Sequence, residues 1–261
     1  MPFRPSIDAI CAYGGGHFWS RGGGHSPPAR IFITLLPMKL VFYGDSMTEY
    51  LHDSLRAFRG YFAPALPESA VELLNYGVGA TRAEMILYRM LHEFWHGRKR
   101  MVPLSVLQPD VIILESCAFN NAADRTEGLA NFNAIWDQIY DACRIYAPKA
   151  LTIFYITIPP APVIPDELAN RLFFHSDPAI FSYRFEWRSR YQDQFAAWAA
   201  ARGIELLDIR CDVVAMEAQG QPRTAWIHAD GVHPNAAGVD LISRRLAEEV
   251  TRRVGVAGTA K

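Results

Sequence analysis

Short apolar runs alternate with longer stretches of helical spacing along most of this chain. Residues 39–43 are apolar and rich in strand formers, Gly44 punctuates them, and residues 49–59 carry apolar side chains at helical intervals, which predicts strand, tight turn, helix. The unit repeats: a strand over 71–74, a turn through Asn75, Tyr76, Gly77, Val78 and Gly79, then a helix over 82–94. Residues 111–114 form an apolar run too short for a helix and suited to the middle of a parallel sheet, followed by a loop at 115–121 and a helix over 127–146. A strand over 151–158 is stopped by Pro159 and Pro160, and a helix over 185–202, a strand over 204–207 and an amphipathic helix over 241–253 complete the series. This alternation predicts an α/β fold, a three-layer α/β/α sandwich around a doubly wound, mostly parallel sheet. Ligands of such sheets sit at the C-terminal strand ends.

Two segments break the rhythm. Residues 159–183, with Phe173, Phe174 and Phe181, are longer than an ordinary βα connection and read as a lid or substrate loop, or as a surface excursion packed by its own aromatics. Residues 1–37, with glycine triplets at 14–16 and 22–24 and prolines at 27 and 28, read as an extension to a domain over 38–261; the strand-forming stretch that starts at Met38 is a natural beginning for that domain.

The 261 residues, half of them apolar, suffice for one sizeable core. A formal net charge of −1 with dispersed Lys and Arg gives no reason to expect a nucleic-acid partner. Cys11, Cys117, Cys143 and Cys211 lack metal-ligand spacing, so neither a metal nor a disulfide framework is expected. The apolar run at 31–36 is far too short to span a membrane and no ordered secretory signal precedes it, which leaves the cytoplasm as the default location. Oligomeric state is not legible.

The candidate chemistry lies at the predicted strand ends. Ser46 follows a strand and Gly44, in a turn entering a helix, a position that suits a projecting nucleophile and an N-cap serine equally well. Asp230 and His233, three residues apart and followed by Pro234, Asn235 and Gly238, would share one loop before the last helix; the imidazole can take the serine proton while the carboxylate fixes its tautomer. For an oxyanion, Gly79 offers a backbone N–H and Asn120 a side-chain amide, although Gly79 would also simply permit a turn and Asn120 or Asn121 would also cap the next segment. Asp45 reads as a turn-stabilising carboxylate and Glu49 as a first-turn helix residue.

Taken together, Gly44-Asp-Ser-Met-Thr48, Asn75-Tyr-Gly-Val-Gly79, Ala118-Phe-Asn-Asn121 and Asp230-Gly-Val-His233 resemble the four blocks of the SGNH, or GDSL-type, serine esterase and lipase superfamily across residues 39–253. The resemblance implies Ser46 as nucleophile, His233 as general acid and base, Asp230 as its orienter, and an oxyanion hole from the Ser46 N–H, the Gly79 N–H and the Asn120 side chain, with no cofactor. The family more often has its second-block glycine one place later, at Ala80; in the third block Ala118 stands for a glycine and Asn121 for an aspartate, and Asn120 is preferred over Asn121. The strained Gly-x-Ser-x-Gly elbow of the other serine-hydrolase fold is missing around Ser46. The expected activity is hydrolysis of short or medium acyl esters of small molecules, with carbohydrate O-acetyl ester hydrolysis or O-acyl transfer as alternatives and a catalytically silent binding protein as a third reading.

Overall fold

A computed structural model of the chain describes residues 37–52, 55–62, 67–121, 126–160 and 178–255. The proposed N-terminal extension, apart from residue 37, and residues 161–177 of the expected substrate loop lie outside them.

Five strands, β1 (Met38–Gly44), β2 (Val71–Gly77), β5 (Val111–Glu115), β6 (Leu151–Ile156) and β7 (Leu206–Asp208), form one wholly parallel sheet in the order β2-β1-β5-β6-β7. The missing numbers belong to a separate antiparallel hairpin, β3 (Phe94–His96) and β4 (Lys99–Met101). The strand order reverses between β1 and β5, the switch point where doubly wound sheets place their ligands.

Because both faces of the sheet are covered, its central strands carry near-continuous apolar runs, 40–43 in β1 and 111–114 in β5. Leu40 and Phe42 of β1, with Val111 and Ile113 of β5, pack into one core with α2 (Arg56–Phe62) and the C-terminal α9 (Ala236–Val254). Val41, Tyr43, Ile112 and Leu114 face the other core, with α3 (Ala83–Leu91), α6 (Thr126–Tyr146) and α7 (Pro178–Ala201). Each such side chain contributes about 1.5–3 kcal/mol of transfer free energy. Trp187 is buried in this second core, so its ring serves packing.

The predicted helix over 49–59 is two helices, α1 (Ser46–Glu49) and α2, because His52 and Leu55 adopt left-handed backbone conformations (φ 62° and 45°) that end the first. Asn75 secures the break: its amide donates to Thr48 O (2.9 Å) and His52 O (3.1 Å). The helix predicted over 82–94 stops at Leu91 and the chain turns into the hairpin at Gly97, whose φ is 59°, before the short α4 (Leu104–Leu107). The helix predicted from 185 begins at Pro178, where proline's missing N–H costs nothing. The last helix starts at Ala236 because Asn235 caps it, accepting from Ala237 N and Gly238 N. A short helix, α8 (Arg210–Ala218), also follows β7.

Candidate active site

The first βα turn is built by close approach. A Cβ on Gly44 would lie 2.0 Å from Thr48 Oγ1, and one on Gly77 would lie 2.5 Å from the Glu49 backbone nitrogen, so glycine at both positions lets α1 lie directly on the ends of β1 and β2. Asp45 is the cap of α1, its Oδ1 accepting from Met47 N at 2.8 Å, which leaves Ser46 as the first helical residue with its hydroxyl free for other work. Residues three and four positions on share its face of the helix. These are Glu49 and Tyr50.

The Ser46 hydroxyl donates to His233 Nε2 at 3.0 Å, and the Nδ1–H of the same ring donates to Asp230 Oδ2 at 2.6 Å. The loop before α9 is wound tightly enough to fix both partners. Asp230 Oδ1 accepts from the backbone N–H groups of Val232 and His233, both at 2.9 Å, Gly231 takes a positive φ, and His228 N donates to His233 O at 2.7 Å. Burial alone would raise the Asp230 pKa, but the hydrogen bonds from the His233 ring and from the two N–H groups outweigh it and hold the carboxyl below its ordinary range. The Tyr50 ring stacks on the His233 ring, centroids 4.4 Å apart and planes within 7°.

Asn120, on the short α5 (Ala118–Asn121) after β5, reaches the Asp45–Ser46 turn. Its amide donates to Asp45 Oδ2 at 2.9 Å, leaving its second N–H without a bond among the described residues. The turn before α5 is held by Glu115, which accepts from Ser116 Oγ and from Cys117 N, both at 2.7 Å, with Cys117 at φ 50°. Asp45 is fully buried and its pKa is pushed up to about 6, chiefly by burial and against the hydrogen bonds from Met47 and Asn120. Burial and the neighbouring Asp45 charge also push the Glu115 carboxyl well above its ordinary range. Asp45, Glu115 and Cys117 lie close enough to suggest a cation site. Every one of the four carboxylate oxygens, however, already accepts a protein hydrogen bond. The cluster is built as an anchor for the turn and for Asn120.

Gly79 abuts Ser46, a Cβ there falling 3.6 Å from Ser46 Cβ, but its N–H donates to Glu49 Oε2 at 2.8 Å. The next residue, Ala80, is exposed and holds a left-handed φ of 56°, the conformation that glycine adopts without cost. Arg89, fully buried, donates to Gly44 O at 2.9 Å and so braces the β1 end from below; burial lowers its pKa. Of the residues singled out from the sequence, Ser46, His233 and Asp230 are joined by hydrogen bonds, and Asn120 is bonded to Asp45 beside Ser46. Glu49 lies in the first turn of α1 as expected, but its contacts, and those of Tyr50, Asn75, Glu115 and Arg89, were not foreseen; for Glu49 and Tyr50 their spacing from Ser46 was the available signal.

Comparison with known proteins bears on the fold and the family. The fold is shared with an acetyl xylan esterase, AlAXEase (TM-score 0.59, 16% identity, 81% of this chain and 99% of that one). It is also shared with an acetylxylan esterase from Geobacillus stearothermophilus (TM-score 0.54, 15% identity, 84% and 94%). A gut microbial diltiazem-metabolizing enzyme matches with a TM-score of 0.57 and 17% identity over 85% of this chain, which spans about half of that protein (48%). No curated protein sequence matches the chain. The sequence profile of the GDSL-like lipase/acylhydrolase family matches residues 42–241, well over half of the chain, and the protein therefore belongs to that family of ester-cleaving hydrolases.

Proposed function

We propose that the protein hydrolyses carboxylic esters of short or medium acyl chains through an acyl-enzyme on Ser46. The observation that carries this reading is the continuous line from Ser46 Oγ to His233 Nε2 (3.0 Å) and from His233 Nδ1 to Asp230 Oδ2 (2.6 Å). His233 Nε2 takes the hydroxyl proton as Ser46 Oγ bonds to the ester carbonyl carbon. The same proton then goes to the departing alkoxide as the C–O bond breaks, leaving the acyl group on Ser46. A water, deprotonated by His233, attacks the acyl-enzyme, and collapse releases the carboxylic acid and restores the hydroxyl. Asp230 keeps the proton on Nδ1 and stabilises the imidazolium.

The tetrahedral oxygen is received by the Ser46 N–H, the second amide hydrogen of Asn120 and the Gly79–Ala80 turn. Within that turn the Ala80 N–H is the one without a bond among the described residues.

A carbohydrate O-acetyl ester is a second substrate class, supported by the acetylxylan esterases among the structural neighbours. The test is initial-rate hydrolysis of p-nitrophenyl esters from acetate to palmitate, and of acetylated xylan, by wild type and Ser46→Ala, with phosphonate labelling of Ser46. Turnover lost in the variant supports the reading. A folded wild type that neither turns over nor labels sinks it.

A further inference from the structure

The backbone donors around the β2–α3 turn are taken in succession. Gly77 N–H donates to Asn75 Oδ1 at 2.9 Å, Val78 N–H to Gly44 O at 3.2 Å, and Gly79 N–H to Glu49 Oε2 at 2.8 Å. The next N–H, that of Ala80, is the first with no bond among the described residues. It belongs to a residue held at φ 56°, a conformation that costs a residue bearing a Cβ about 1–2 kcal/mol and persists only where the surroundings impose it. Two contacts impose it. Thr81 Oγ1 donates to Val78 O at 2.7 Å across the turn, and Glu49 holds Gly79.

Glu49 is itself held at both ends. It lies on the α1 turn that carries Ser46, and its other carboxylate oxygen accepts from His96 Nε2 at 3.1 Å. His96 belongs to the β3–β4 hairpin, whose opposite strand is rooted by the fully buried Met101. One carboxylate thus ties the α1 turn, the β2–α3 turn and the hairpin together, and the Gly79 it holds abuts Ser46. A single N–H cannot serve Glu49 and a substrate oxyanion at once.

We propose that Glu49 is a positioning residue for the oxyanion hole, clamping Gly79 N–H so that Ala80 N–H is presented to the tetrahedral oxygen, with His96 fixing the clamp. The proposal rests on the esterase reading above. Glu49 touches no reacting atom; it acts through the turn. The opposite possibility has a different signature: were Gly79 N–H the working donor, Glu49 would be occupying its seat, and removing the carboxylate would speed the enzyme.

The experiment compares wild type, Glu49→Ala, Glu49→Gln and His96→Ala of the full chain. It measures kcat and KM on p-nitrophenyl acetate, the rate of phosphonate inactivation, and Tm. Glu49→Ala is expected to lower kcat about 10- to 100-fold, less than or comparable to deleting an oxyanion donor outright, with KM changed less than about threefold. Phosphonate inactivation should fall in step, since it too builds negative charge on an oxygen in the hole. Glu49→Gln keeps an acceptor for Gly79 N–H and should recover most of the rate, and His96→Ala should lie between the two. A Glu49→Ala enzyme as fast as or faster than wild type overturns the proposal, as does a loss shared equally by the Ala and Gln variants that tracks a fall in Tm. A wild type inert toward all esters, with Ser46 unlabelled, removes the esterase reading and this proposal together, a result distinct from any ranking of the variants.

Discussion

Tyr50 lies face to face with His233, ring centroids 4.4 Å apart and planes within 7°. The stack covers one face of the imidazole while its two nitrogens are engaged by Ser46 and Asp230, so rotation out of the catalytic line would expose apolar ring surface on both partners. When the ring becomes imidazolium, an aromatic face in this position stabilises it by about 0.5–2 kcal/mol. Tyr50→Phe is therefore expected to retain kcat within about twofold, and Tyr50→Leu to lose roughly 3- to 30-fold, in line with that energy. Steady-state rates on one ester check it. A Phe variant as impaired as Leu would shift the role from the ring to the phenol.

Asp45 links the helix cap to Asn120, and its titration has a definite sign. Its pKa in the fold is pushed up to about 6, chiefly by burial, against an ordinary value near 4. The folded protein thus holds this proton more tightly than the unfolded chain. The stability that Asp45 contributes is fully present below about pH 4 and is lost as pH rises through about 6. Asp45→Asn removes the titration, so the stability of wild type relative to this variant should fall by about 2–3 kcal/mol at most between pH 4 and pH 7. Urea unfolding at both pH values measures it, and a difference that does not change with pH would mean that Asp45 does not titrate there. At constant pH, Asn120→Ala should cost kcat about 10²- to 10³-fold, the worth of an oxyanion donor.

Which parts of this molecule are readable from its residues follows from how far each determinant reaches. Strands β1 and β5 are short apolar runs bounded by Gly44 and Asp110, and such runs declare themselves because both faces of the sheet are covered. Ser46, Asp230 and His233 stand out because the roles proposed for them, nucleophile, orienter and base, each need a particular side chain at a strand end or on one rigid loop. The break between α1 and α2 is hidden, since His52 and Leu55 enter left-handed conformations without being glycine, and Asn75, more than twenty residues on, holds the carbonyls of Thr48 and His52. The β3–β4 hairpin left only Gly97 as a mark in a stretch that otherwise continues a helical pattern. Glu49 and Tyr50 look like ordinary helix residues until β2 and the loop before α9 are brought against them.

Gly77 sets the distance between α1 and β2. In Gly77→Ala the new Cβ would sit 2.5 Å from the Glu49 backbone nitrogen, an overlap that no rotamer relieves, so α1 must retreat and take Ser46 with it. A loss of about 1–3 kcal/mol of stability is expected, together with loss of turnover at temperatures where the variant is still folded. Gly60, inside α2, is the control: an added Cβ there meets nothing within 4 Å, and Gly60→Ala should be stabilising by about 0.5–1 kcal/mol. Thermal melts and rates on the two variants decide the point, and equal behaviour would refute it.

Asp230 invites a sharper comparison than simple deletion. Its carboxylate accepts from the Val232 and His233 N–H groups through one oxygen and from the His233 Nδ1–H through the other. In Asp230→Asn the amide oxygen must still serve the two backbone donors, so the NH₂ group is left facing Nδ1. That geometry favours the tautomer with its proton on Nε2, where a second donor then confronts the Ser46 hydroxyl and no base is available to it. Asp230→Ala removes the orienter without imposing the wrong tautomer, and water can take its place. Both variants should lower kcat, the Asn variant by about 10³- to 10⁴-fold and by more than the Ala variant. Initial rates on a single ester rank them. If Asp230→Ala proved the slower of the two, the carboxylate's main contribution would be to hold the loop through Val232 and His233, and the tautomer argument would fail.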